Sequence, residues 1–313
     1  MTVDSMAISA PIHVPYGLGI VSYRSGAQAR RSTATVRHGR TACVGREPRG
    51  MLCRQGRCGA GPHRPATTRP HPRTLLAQRM IEFGHSTHVG LRREHNEDTY
   101  YADANLGLWL VADGMGGHEH GEVASALARD TLVREVGKGM ALIPAIQLAD
   151  EEIIRHSTRR SEALPMGTTI AALRISGERD FEVAWVGDSR VYVWNNGLKQ
   201  LSQDHSYVQE LIDQGAITSE QARSHPHRNV VTQALGVTDP QSMRIGSAKG
   251  TLTPGMQLLL CSDGLTEEVT DASIASVLGR SELTVQESVD HLVLAALDQG
   301  GADNVTVILV RAR

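Results

Sequence analysis

No run of eighteen uninterrupted apolar residues occurs in this 313-residue sequence, so nothing in it reads as a helix that crosses a bilayer. The first twenty residues lack a basic start, and Pro11 and Pro15 stand where an apolar signal would have to be helical, which argues against secretion. Cysteine is scarce: Cys43, Cys53 and Cys58 are crowded near one end and Cys261 stands alone in an apolar run, so there is no disulfide framework. Cys53, Cys58, His63 and His71 can be drawn as zinc ligands, but their spacing fits no compact finger. No internal repeat is present. These absences lead us to expect a cytoplasmic globular protein.

Lysine is missing from residues 1–79, which hold thirteen Arg and only two acids, Asp4 and Glu47, for a net charge of +11. The whole chain is −2, so residues 80–313 carry −13. Residues 22–79 show no apolar period and are rich in Arg, Gly, Pro, Ser and Thr, a composition that cannot bury enough surface to offset its ordering entropy. We expect 1–79 to be a disordered Arg-rich extension, with Met80 the initiator of the domain. A basic arm for nucleic acid or membrane is the alternative reading of that segment. The acidic charge of 80–313 argues against nucleic acid for the domain itself, because phosphate-backbone affinity needs concentrated Lys and Arg.

What is present begins at Met80, where 40% apolar content over the chain is enough for a packed core. Short runs rich in β-branched residues predict strands at 106–112, 168–175, 181–186, 191–194, 256–261 and 305–310. Asn195-Asn196-Gly197 predicts a hairpin turn. Helices are predicted at 121–134, 143–156, 207–214 and 285–297, the last because Val285, Val289, Leu292, Val293 and Ala296 share one face. Helices set between strand hairpins imply an α+β layered domain rather than a doubly wound one.

The recurring feature is an Asp directly after an apolar run, at Asp113, Asp188 and Asp263, with Asp303 immediately before the final strand. A carboxylate emitted at the end of a buried strand sits at the rim of the core, where desolvation is costly unless a cation or donors compensate. Several such groups converging would repel one another without a hard divalent ion such as Mg2+ or Mn2+. A single Asp-Gly reads first as a plain β-turn, and only the repetition at strand ends favours a metal centre.

Arg93-Glu94-His95-Asn96-Glu97-Asp98, Asp113-Gly114-Met115-Gly116-Gly117, Met166-Gly167-Thr168-Thr169, Gly187-Asp188-Ser189-Arg190, Ser262-Asp263-Gly264 and Asp303-Asn304-Val305-Thr306 follow one another in this order. Together they resemble the bacterial PP2C (PPM) protein phosphatases, over nearly the whole of 80–313. The resemblance implies a four-layer αββα sandwich, two central antiparallel sheets flanked by helix pairs. It implies hydrolysis of phosphoserine and phosphothreonine on proteins by in-line attack of a metal-bridging hydroxide, opposing a Ser/Thr kinase. Two Mn2+ or Mg2+ ions would be held by Glu97, Asp113, the carbonyl of Gly114, Asp263 and Asp303. Asp98 would hold water beside them, Asp188 with Asp263 would take a third, weaker metal, and Arg93 would grip the substrate phosphate.

Met115 stands where many eukaryotic members carry a His proposed as general acid, and His118 and His120 read as bystanders. Cys261 reads as core, Ser189 as a turn residue and Arg92 as a solvated charge. Residues 203–236 resemble the flap beside the active site of bacterial members, with a role in choosing substrate. The start of the domain also resembles the small phosphatases that oppose a Hanks-type kinase in type VI secretion. That implies a bacterial cytoplasm, with a membrane-anchored Ser/Thr kinase and a forkhead-associated-domain substrate as partners, and we expect a monomer.

Overall fold

The computed structural model describes residues 81–117, 119–158 and 166–313. The expectations for 1–79, for Met80 and for His118 lie outside the described residues. Two antiparallel sheets form the centre. One runs in the order β1 (Ile81–His88), β11 (Val305–Ala312), β10 (Gln257–Cys261), β7 (Arg190–Trp194), β8 (Leu198–Gln200). The other runs β2 (Asp98–Asp103), β3 (Leu108–Met115), β5 (Ile170–Ser176), β6 (Asp180–Val186), β9 (Gly246–Thr251), with the two-residue β4 (Gly167–Thr168) paired to β3.

Strand alternation explains the layers. On β3, Trp109 and Val111 point into the space between the sheets, where they meet Leu258 and Leu260 of β10 and Ile308 and Val310 of β11. The intervening Leu108, Leu110 and Ala112 point the other way, onto Ala124, Ala128 and Leu132 of α1 (Glu119–Gly137) and Ile146 and Ile153 of α2 (Leu142–Thr158). Beyond the first sheet, Leu259, Cys261, Val307 and Leu309 pack on α6 (Asp271–Leu278) and α7 (Val285–Asp298). The result is the αββα sandwich, and β3, β10 and β11 read as unbroken apolar runs because both of their faces are buried. α7 buries the predicted face, and Thr284 with Glu287 forms a capping box at its start.

The differences from expectation are local. β3 does not end at Ala112 but continues through Asp113 to Met115, because β4 pairs with it at Gly114↔Thr168 and Met115↔Gly167. The predicted strand 168–175 is broken at Thr169, whose N–H donates to the Asp113 carbonyl (2.8 Å) while its hydroxyl accepts from Asp113 N–H (3.0 Å). Asp263-Gly264 opens a one-turn helix, α5 (Asp263–Thr266), instead of a β-turn. The helix predicted at 207–214 forms as α3 (Tyr207–Asp213), whereas β1, β2, β8, β9, α4 (Ser219–Arg223), α5 and α6 were not predicted. β9 is sequence-poor in strand formers, yet it pairs because the rings of Trp185 and Phe181 cover Gly246 and Gly250, where an added Cβ would lie 2.2 Å and 2.5 Å from ring carbons. The predicted turn at Asn195–Gly197 joins β7 to β8, with Asn196 in the left-handed region at φ 56°.

Candidate metal centre

The segment from Val89 to Glu97 carries Arg93 and Glu97 but no regular structure, so its position depends on partners far along the chain. Asn304, buried just before β11, supplies them: its amide donates to the carbonyls of Val89 and His95 (both 2.9 Å) and its side-chain oxygen accepts from Glu97 N–H (2.8 Å). The Glu97 carbonyl accepts from Gly114 N–H (3.2 Å) and from the hydroxyl of Ser125 on α1 (2.7 Å). Gly121 is required beneath it, since a Cβ there would fall 2.1 Å from the Glu97 carboxylate. Sequence reasoning quoted Asn304 and gave it no role. Asn304→Ala strands two carbonyls and one N–H, and we expect it to cost about 2–3 kcal/mol in chemical denaturation and more than about tenfold in kcat.

Strand geometry brings the acidic residues together. Asp98 opens β2 directly opposite Asp113 of β3. Ser262, at the end of β10, donates its hydroxyl to Asp98 (2.8 Å) and accepts from Thr306 N–H of β11 (3.0 Å), tying the two sheets at this point. Asp188 follows β6 and is buried, and Asp263 opens α5. Arg93 Nη2 donates to Asp303 at 2.5 Å.

Burial is the first cause of strain on these carboxyls, and their neighbours add to it. Asp98 is pushed up to about 7 by burial, with Asp263 and Asp303 raising it further against the pull of hydrogen bonds from Thr306 and Ser262. Asp263 is pushed up to about 6 by burial and by Asp303. Asp113 and Asp188 are held well above the usual carboxylate range, by burial and then by the other Asp residues and Asp263 respectively. Glu267, one turn after Asp263, is raised to about 8 by burial and by Asp263, and sequence reasoning missed it. It also missed the support beneath Asp188: Arg190 makes a two-pronged bond to Asp204 (2.7–3.0 Å) and reaches the Tyr192 hydroxyl (3.0 Å). A lone Arg at the start of an otherwise apolar β7 was the available signal.

Among the described residues, no three His, Cys, Asp or Glu side chains yet surround one point as ligands would. In this conformation Asp303 is turned onto Arg93 and Asp98 onto Ser262. The residues nevertheless fit a hard divalent cation. Asp98 Oδ1 and Asp263 Oδ1 are both buried without a hydrogen-bond partner, and carboxylate oxygens are the donors Mg2+ and Mn2+ prefer. Met115, at the end of β3, offers no titrating group, and Cys261 is core, its thiol pushed up to about 12 by burial. Ser189 is buried on the Thr169 hydroxyl (2.8 Å), as a hydrogen-bonding residue.

Comparison with known proteins agrees with this site. The family model described as protein phosphatase 2C matches residues 91–298. The chain belongs to the protein phosphatase 2C family. The serine/threonine phosphatase Stp of Listeria monocytogenes is 37% identical over 238 residues, covering 72% of this chain and 93% of Stp. The catalytic domain of the phosphatase PstP, solved in complex with two manganese ions, superposes with a TM-score of 0.66 at 32% identity, over 74% of this chain and 98% of that one. PppA of Pseudomonas aeruginosa, described as a regulatory component of type VI secretion, superposes with a TM-score of 0.64 at 35% identity, over 75% of this chain and 98% of PppA. As a PP2C member the chain therefore places its acidic cluster within a family in which a two-manganese complex is known.

Proposed function

We propose that this chain hydrolyses phosphoserine and phosphothreonine on proteins, reversing the action of a Ser/Thr kinase. The observation that carries this reading is the convergence of five buried or half-buried carboxylates, Asp98, Asp113, Asp188, Asp263 and Asp303, beside the half-exposed guanidinium of Arg93. Glu97, Asp113, the Gly114 carbonyl, Asp263 and Asp303 would hold two Mn2+ or Mg2+ ions, and Asp188 with Asp263 a third, weaker one. When bound, the ions supply Lewis acidity to the phosphoryl oxygens and lower the pKa of water.

The chain's own groups do the rest. Arg93 offers planar, charge-assisted donors to the phosphate, a match that Lys cannot reproduce. Asp98 would orient the attacking water from beside the ions. Attack on phosphorus is in line, opposite the Ser or Thr oxygen. Met115 cannot protonate that oxygen, and a water molecule could supply the proton instead. No Cys or Ser nucleophile is needed.

Residues 80–313 form the catalytic domain and 203–236 the flap that helps choose substrate. Within the flap Tyr207, His225 and His227 cluster with ring centroids 5.7–6.0 Å apart, a surface suited to a peptide. PppA is described as a regulatory component of type VI secretion, and from the resemblance of the start of the domain to that subgroup we propose a Hanks-type kinase and a forkhead-associated-domain protein as partners. No helix of the described residues is long and apolar enough to cross a membrane. From the family resemblance we propose a cytoplasmic monomer.

The test is phosphate release by the purified chain from a phosphothreonine peptide and from p-nitrophenyl phosphate. Release with Mn2+ that stops on chelation is the expected result. A folded protein that binds the phosphopeptide but releases nothing at any metal concentration would make it a phosphosite-binding module instead.

A further inference from the structure

The two sheets each end in an edge strand on the same side of the sandwich, and the fold treats those edges differently. β1 is closed. Gln286 of α7 pairs its side-chain amide with the His85 backbone, accepting from His85 N–H and donating to His85 C=O (both 3.2 Å). The helix presses so close that a Cβ on Gly84 would lie 2.9 Å from the Gln286 backbone. Covering an edge in this way is the usual protection against unwanted strand pairing.

β2 is open. Asp113 spends both its N–H and its C=O on Thr169, so by the alternation of an antiparallel ladder Ala112 and Leu110 are the residues that bond to Thr99 and Tyr101. The N–H and C=O of Tyr100 and Ala102 therefore face away from β3. Among the described residues β2 is a sheet edge whose one strand partner is β3, and no turn or loop backbone bonds to Tyr100 or Ala102. They look into a groove of about 510 Å³ between the β1 and β2 edges. One wall is the His85 ring against Tyr100, with centroids 4.8 Å apart, and the other is Arg129 of α1, held by the Thr99 hydroxyl at 2.7 Å. At one end the groove reaches Asp98, so it is continuous with the acidic cluster.

We propose that this open edge binds an extended segment of the phosphoprotein substrate, which adds to β2 as an outer strand and delivers its phosphoresidue to the cluster beside Asp98. The inference rests on the phosphatase reading above and adds to it where the flanking chain lies. Main-chain pairing gives affinity without demanding a sequence, which suits an enzyme acting on several phosphosites. At about 3.3 Å per residue, four residues on one side of the phosphoresidue span the roughly 13 Å from Asp98 to Ala102. Pairing uses alternate peptide amides, so alternate positions on that one side should matter and the others should not.

Two measurements on the full chain test this. In the first, a twelve-residue peptide carrying a non-hydrolysable phosphonate in place of phosphoserine is added with Mn2+, and amide exchange is followed residue by residue. Tyr100 and Ala102 should gain at least about tenfold protection, while Thr99 and Tyr101, already in the ladder, change little. In the second, the amides of a hydrolysable phosphopeptide are N-methylated one at a time. KM should rise about tenfold at alternate positions on one side only, the scale of one or two lost net hydrogen bonds. Hydrolysis of p-nitrophenyl phosphate serves as the reference. If that compound is hydrolysed but the scan is flat and Tyr100 and Ala102 stay unprotected by the bound phosphonate, edge docking is wrong and the phosphatase reading stands. If nothing is hydrolysed, the phosphatase reading fails, and with it the substrate proposed for this edge.

Discussion

Asp263→Asn is expected to lower kcat for Mn2+-dependent phosphate release by at least about 10³-fold, since losing a carboxylate proposed to hold the ions would forfeit several kcal/mol of charge stabilisation. The same substitution should make the metal-free protein more stable, not less. Asp263 is half-buried beside Asp113 and Asp303, and its carboxyl is already pushed up to about 6 by burial and by Asp303. Replacing the carboxylate by a neutral amide of the same shape removes that repulsion, for a gain on the order of 1–3 kcal/mol at pH 7 in denaturant unfolding with chelator. Asp113→Asn should behave alike, because Asp113 is raised by burial, Asp98 and Asp263. The opposed signs are the useful part: a residue kept for folding would lose stability along with activity. Loss of both together would identify Asp263 as structural.

Arg93→Ala should reduce kcat/KM for a phosphothreonine peptide by about 10²–10³-fold, and Arg93→Lys by about tenfold or more, because an ammonium cannot present two parallel donors to a phosphate. The ion pair with Asp303 itself contributes little to stability, with the Arg93 side chain 54% exposed, so the melting temperature should hardly move. Freed from Arg93, Asp303 is available to a cation, and Mn2+ should bind the Ala variant as tightly as the wild type or more so. A parallel fall in Mn2+ affinity and activity would show instead that Arg93 builds the metal centre and does not serve the substrate.

Much of this was legible in the sequence, for identifiable reasons. β3, β10 and β11 are apolar on both faces, so their runs stand out; the first two lead to Asp113 and Asp263, and Asp303 precedes the third. α7 shows its buried face as a clean helical stripe. What could not be read depends on tertiary contact. β9 is a strand because two aromatic rings need glycine opposite them, and nothing in Gly246–Thr251 says so locally. Asp-Gly taken alone favours a turn at Asp113 and Asp263, whereas Asp113 continues a strand through its bonds to Thr169 and Asp263 is the first residue of a one-turn helix. Asn304 holds residues about 210 positions away, a relation that no local pattern encodes. The partner network of Arg190, Asp204 and Tyr192 is likewise invisible until β7 is folded against the loop after β8.

The most direct test of the acidic cluster as a metal centre is a calorimetric titration of the chain with Mn2+ in buffers of different ionisation enthalpy. Asp98 at about 7 and Asp263 at about 6 hold protons in the metal-free protein that ligation must displace. Both values are raised above the unfolded carboxylate range. Their protonated forms therefore stabilise the metal-free fold below about pH 4, and that contribution is lost as pH rises through about 6 to 7. Mn2+ affinity should climb over the same interval. The account predicts two ions bound per chain near neutrality, with net proton release that shrinks above about pH 8. Binding without proton release and with no dependence on pH between about 5 and 8, or no binding at all to a folded chain, would contradict it.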